Sequence, residues 1–159
     1  LKIKLAEPSP YSRVRLELPL RAVIEARGGL RRQGATFEPR LSYTVTDPRG
    51  RWHVDTALSA VLGNRGINDY FYGVGQQFAT PERPAYAAKS GLMLTRLGLG
   101  GSYLLHRDWR AFAFLRYDNY AGAANRDSPL LRQHSGTSAG IGLMWTWQRS
   151  SRPAWGGEE

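Results

Sequence analysis

His53 and Asp55 stand two residues apart, and so do His106 and Asp108. On an extended strand, residues two apart share a face. The first pair would therefore set an imidazole beside a carboxylate, the minimum needed to activate a water. The second pair falls within "HRD", a tight turn in which both residues serve as hydrophilic turn formers. His134 and Ser135 are adjacent, a pairing suited to acyl transfer, but strand neighbours point to opposite faces. Acid–base chemistry needs convergent groups, and no spacing here supplies a third member. The plainer role for His53 and Asp55 is in a polar side-chain network, so no catalytic residue is assigned. "GVGQQ" and "GLGLGG" are glycine-rich, but neither runs into a helical pattern, which removes the phosphate-loop reading. The chain has no cysteine, which excludes disulfides and thiolate metal sites. No cofactor or metal is expected.

Charge is the stronger signal. The net charge is +9, and of the 22 basic residues only Lys2, Lys4 and Lys89 are not arginine. Arginine pairs bidentately with carboxylates and phosphates and tolerates crowded, partly desolvated places. Such a balance suits nucleic acid, anionic lipid or an anionic polymer. Nucleic acid is disfavoured, because basic and aromatic residues do not gather on one face. Arg27, Arg31 and Arg32, in the stretch "RGGLRRQGA" (27–35), are read as a basic loop that either meets lipopolysaccharide phosphates or is simply solvated.

The elements that must position these groups show a period of two rather than 3.6. Residues 1–5 alternate as the end of a strand, and "AEPSPY" makes a turn. "SRVRLELPLRAVIE" (12–25) sets Val14, Leu16, Leu18, Leu20, Ala22 and Ile24 on one face. Arg13, Arg15, Glu17 and Arg21 fall on the other. "TFEPRLSYTV" (36–45) places Glu38 and Arg40 on its polar face, although Pro39 is awkward in a central strand. "DPRG" (47–50) is a type I turn. Further strands are expected at 52–62, 91–105, 109–122 and 135–148. Residues 63–90 mix Gly, Pro, Asn and aromatics without a period, and are expected to form a rim excursion or to fold inward. Residues 123–133 form a loop, and 149–159 an unstructured tail.

In an up-and-down meander the connections at 6–11, 47–50 and 106–108 share one end and are short. Those at 26–35, 63–90 and 122–133 share the other end and are longer. Trp52, Trp109, Trp145 and Trp147 gather at the short end, as amphipathic rings do at a lipid–water boundary. No window approaches the ~18 apolar residues of a spanning helix, but a barrel strand needs only ~9–11. Short turns at one end and long loops at the other are the layout of bacterial outer-membrane barrels. The expectation is an all-β, antiparallel, up-and-down transmembrane β-barrel in which residues 1–148 form part of one domain. An odd number of further strands is expected before Leu1. The apolar faces would meet lipid. Arg13, Arg15, Glu17, Arg21, Glu38 and Arg40 would form a mixed-charge network in the lumen.

"NDYFYGV" (68–74), "PAYAAKSG" (84–91), "WRAFAFLRYDNYAGAANRDSPLL" (109–131) and "GIGLMWTW" (140–147) resemble the MipA/OmpV family, the MltA-interacting proteins of the Gram-negative outer membrane. The late loop of that family matches at Asp127, Ser128 and Pro129. The resemblance implies an outer-membrane scaffold without enzymatic activity, linking a murein lytic transglycosylase to a peptidoglycan synthase. Membrane lipid and lipopolysaccharide would surround it. The alternatives are a small-solute channel or ligand-binding barrel in the same fold and, behind these, a barrel hydrolase. Asp69, Tyr70, Tyr72, Asp127, Ser128 and Pro129 are the candidate ligand or partner loops. Tyr70, Phe71 and Tyr72 could equally plug the lumen or cover the rim, and 127–129 could equally be a turn that only shapes the last hairpin.

Overall fold

The computed structural model describes residues 1–26 and 28–148. Arg27 of the basic loop and the tail 149–159 lie outside the described residues. The strands are β1 (Lys2–Ser9), β2 (Ser12–Glu17), β3 (Leu20–Glu25), β4 (Arg31–Phe37), β5 (Arg40–Thr46), β6 (Trp52–Gly63), β7 (Gly91–His106), β8 (Trp109–Asn119) and β9 (Ser135–Trp145). One helix, α1 (Arg65–Tyr72), lies between β6 and β7.

β2 and β3 are halves of one strand, broken at Leu18–Pro19, and β4 and β5 are halves of the next, broken at Glu38–Pro39. Proline brings no N–H to the ladder. The two breaks lie side by side, and register survives because the Glu38 N–H donates to the Pro19 carbonyl at 3.1 Å and the Ala60 N–H to the Pro39 carbonyl at 3.1 Å. Nine strands thus fill seven positions of an antiparallel sheet in chain order, from β1 to β9. β1 and β9 are its edges and do not pair with each other, so the sheet is not closed.

Several boundaries differ from the sequence reading: β8 stops at Asn119 and β9 at Trp145, three residues short of their expected ends. β1 runs on to Ser9, leaving only residues 10–11 as the turn. The loop expected at 27–35 shrinks to 26–30, because Arg31 and Arg32 pair with Glu25 and Ile24. Gly28 (φ 69°) and Gly29 (φ 131°) reverse the chain there, in conformations open to glycine. That connection is no longer than the one at 47–51. The long connections of that end are 64–90 and 120–134.

The two faces of the sheet differ sharply. Leu16, Leu41, Leu58, Leu97 and Tyr117 are successive cross-strand partners in one apolar row. Leu41, Leu58, Leu97, Leu99, Tyr117 and Leu143 are all exposed, and Ile141 is 90% exposed. On β6 the alternate residues Ala57 and Ser59 are buried while Leu58 is not. A sheet folded for water does the reverse. At the short-turn end Trp109 stacks on Trp145 with centroids 5.9 Å apart, and Trp147 meets Trp145 edge-on at 4.9 Å. No helix among the described residues is long and apolar enough to cross a membrane.

Candidate functional site

The polar face carries a charged row that crosses the whole sheet. Lys2, Glu17, Arg40, Ser59, Arg96, Asp118 and Gly136 are successive cross-strand partners. Arg96 grips Asp118 with both arms of its guanidinium, at 2.7 and 2.9 Å. Arg116 approaches the same carboxylate at 3.7 Å. Glu38 is buried. It pairs with Arg21, accepts from the Ser59 hydroxyl at 3.4 Å and lies 3.9 Å from Arg96. Buried carboxylates persist when several donors replace the water they lose. Among the sequence candidates, Arg21 and Glu38 therefore meet directly. Glu17 lies 3.9 Å from Lys2, and Arg13 lies 3.8 Å from Glu7. Arg15 and Arg40 form no ion pair among the described residues.

His53 and Asp55 share this face, but His53 finds a different partner. Its Nδ1 lies 3.0 Å from the Ser102 hydroxyl on β7, which also accepts from Arg110 at 2.8 Å. Alternation along β7 and β8 could have flagged Arg96, Ser102 and Arg110. Phe112 and Phe114 break the pattern, for they stand on the polar face. Their rings lie over Gly142 and Gly140, their partners on β9. The signal was in the register, where each glycine leaves room for a ring. Among the described residues no three His, Asp or Glu side chains gather as metal ligands.

At the long-connection end the polar face is covered by a cap. Helix α1 begins at Asn64, whose side chain accepts from the N–H groups of Ile67 and Ala35, both at 3.1 Å. It thus caps the helix and ties it to β4. Gly34 and Gly63 form the seat: a Cβ on Gly34 would lie 2.5 Å from the Ile67 nitrogen, and one on Gly63 2.8 Å from the Ile67 Cγ2. Ile67, Tyr72, Ala88 and Met93 form the packed apolar core, flanked by Val23, Val61, Tyr86 and Leu131. The fully buried Asn68 donates to the Gly63 carbonyl at 2.8 Å. The sequence reading missed α1, because it is only two turns long and one of its buried positions is this asparagine.

The cap joins the candidate loops. Ser128 Oγ donates to the Tyr72 carbonyl at 2.7 Å and accepts from the Leu130 N–H at 3.2 Å. Asn125, 1% exposed, exchanges two bonds with the Lys89 backbone at 2.8 Å each and accepts from the Tyr86 hydroxyl at 3.3 Å. Asp69 accepts from the Ala88 N–H at 3.2 Å. Tyr72 and Ser128 are therefore buried inside the cap, and burial, with Tyr120 nearby, pushes the Tyr72 phenol up. Tyr70 and Phe71 face outward in edge-to-face contact at 5.2 Å. The Asp127 carboxylate is exposed, 3.7 Å from Arg126. Pro129 follows in the turn where the Leu131 N–H donates to the Ser128 carbonyl.

A family model described as MltA-interacting protein MipA matches residues 5–147. No curated protein and no solved structure matches the chain.

Proposed function

The chain belongs to the MltA-interacting protein MipA family, and from that premise we propose that it is an outer-membrane β-barrel protein that binds a murein lytic transglycosylase and holds it near a peptidoglycan synthase. The observation that carries the membrane part is the bare apolar face, which spans β2 to β9 and ends in a tryptophan cluster. Lipid is the medium that stabilises such a face. The charged face then lines the lumen, lipopolysaccharide surrounds the long-connection end, and the short turns look into the periplasm.

The transglycosylase works on murein, so its docking surface belongs to the short-turn end. Arg49 and Arg107 project from two of those turns and are the residues to change. The motif segments 68–74 and 127–129 are bonded to each other in the cap at the opposite end. Their part is to shape the lumen mouth. The cap over the polar face also favours the scaffold over an open channel.

A pull-down of purified transglycosylase by the full chain in detergent tests the reading. Arg49→Glu with Arg107→Glu is expected to weaken capture at least tenfold. Tyr70→Ala with Phe71→Ala is expected to leave it unchanged. Loss of capture in the second variant alone would overturn the topology.

A further inference from the structure

Three rows of the polar face stack into a small depression. The upper row is Arg40, Ser59 and Arg96, the middle row Ala57, Gly98 and Arg116, and the lower row Asp55, Gly100 and Phe114. These residues enclose about 170 Å³. The hollow exists because its floor lacks side chains: a Cβ on Gly98 would meet only the Ala57 carbonyl, at 4.0 Å.

The rim is chemically divided. Arg96 is neutralised by Asp118, and Arg116 reaches that carboxylate only at 3.7 Å. Arg40 forms no ion pair among the described residues. Positive charge is therefore in excess along one side. Asp55 marks the other side and repels a second negative charge. Across Gly100 in the same row stands Phe114, 49% exposed. Arg40 and Phe114 stand at opposite corners of the depression, and Arg116 lies two residues from Phe114 on β8. Together they offer one molecule two complementary surfaces: the guanidinium forks take an oxyanion and the ring takes a flat or apolar body.

We infer that this depression binds an organic anion, a single carboxylate or phosphate carried on an apolar or aromatic body. The head lies toward Arg40 and Arg116, and the body lies across Gly98 against Phe114. This goes beyond the scaffold reading and does not depend on any protein partner.

Calorimetric titration of the full chain in neutral detergent tests it, with benzoate and phenyl phosphate as probes and inorganic phosphate and benzyl alcohol as controls. At least one probe is expected to bind ten times more tightly than both controls, and which probe does so tells carboxylate from phosphate. Arg40→Gln, which breaks no ion pair, is expected to weaken that binding at least tenfold. Gly98→Leu, which keeps every charge and fills the floor, is expected to abolish it. Arg132→Gln, in the connection 120–134, is expected to change nothing. Should either altered protein fail to fold, the other still decides. Inorganic phosphate binding as well as phenyl phosphate, or a folded Gly98→Leu protein binding like the wild type, would reduce the site to unspecific counterion attraction and overturn the inference.

Discussion

Ser128 does the work of two hydrogen bonds with one hydroxyl. It donates to the last carbonyl of α1 and accepts from its own loop at Leu130. An alanine there would leave a buried carbonyl without a partner, at a cost of about 1–3 kcal/mol. Ser128→Ala is expected to loosen the cap while the sheet persists. Limited proteolysis should then cut within 74–90 several times faster, with unchanged far-ultraviolet circular dichroism. Equal cutting rates would show that the bond does not hold the cap. Tyr72 adds a pH dependence. Its phenol is raised on folding, so the stability it contributes is full below about pH 10, the unfolded value, and declines as the pH rises above it. The same proteolysis assay, repeated across that range, should show the cap opening in alkali, and Tyr72→Phe should remove the dependence.

Elements were legible to the degree that alternation survived. β6 and β9 follow from period two because each carries its large apolar residues mainly on one face, and β8 follows it except at Phe112 and Phe114. The β2–β3 and β4–β5 breaks were half visible: Pro39 looked out of place, but nothing in one strand says that Pro19 lies beside it. β4 was hidden by Gly34, whose reason for being there is the helix seated above it, and by Gln33, whose side chain pairs with Glu25 across the hairpin. α1 itself was illegible, since it is two turns set among glycines, and its burial does not follow its apolar residues: Asn68 is buried while Tyr70 and Phe71 are exposed. Of the site, Arg21 and Glu38 could be read from their parity. The Arg96–Asp118 clasp depends on the register of the β7–β8 hairpin, far from its turn at 107–108. Asn64 is where element and site meet. Asn64→Ala would remove the helix cap and the tie to Ala35, costing about 1 kcal/mol for the cap alone. Hydrogen exchange at Ile67 and Ala35 should rise, while exchange at Leu115 on β8 stays as it was.

At the scale of the molecule, one side of the sheet is charged and the other is bare. Reading the bare side as lipid-facing makes a direct demand on substitutions. An arginine at Leu99, near the middle of β7, would cost about 2–4 kcal/mol at a bilayer midplane. Leu99→Arg is expected to lower the yield of folding into phosphatidylcholine vesicles, while Gly136→Arg on the opposite face leaves it near wild type. If both fold equally well, that face does not meet lipid.

The cap has a consequence for the order of events. Its halves come from 64–90 and 120–134, and β7 and β8 lie between them in the chain. Each of the seven sheet positions pairs with its neighbour in chain order, so the sheet can zip up step by step from nearby contacts. The Tyr72–Ser128 bond cannot form until β7 and β8 have risen and descended beside β6. It acts as a latch that clicks only after a correctly threaded hairpin has been laid down.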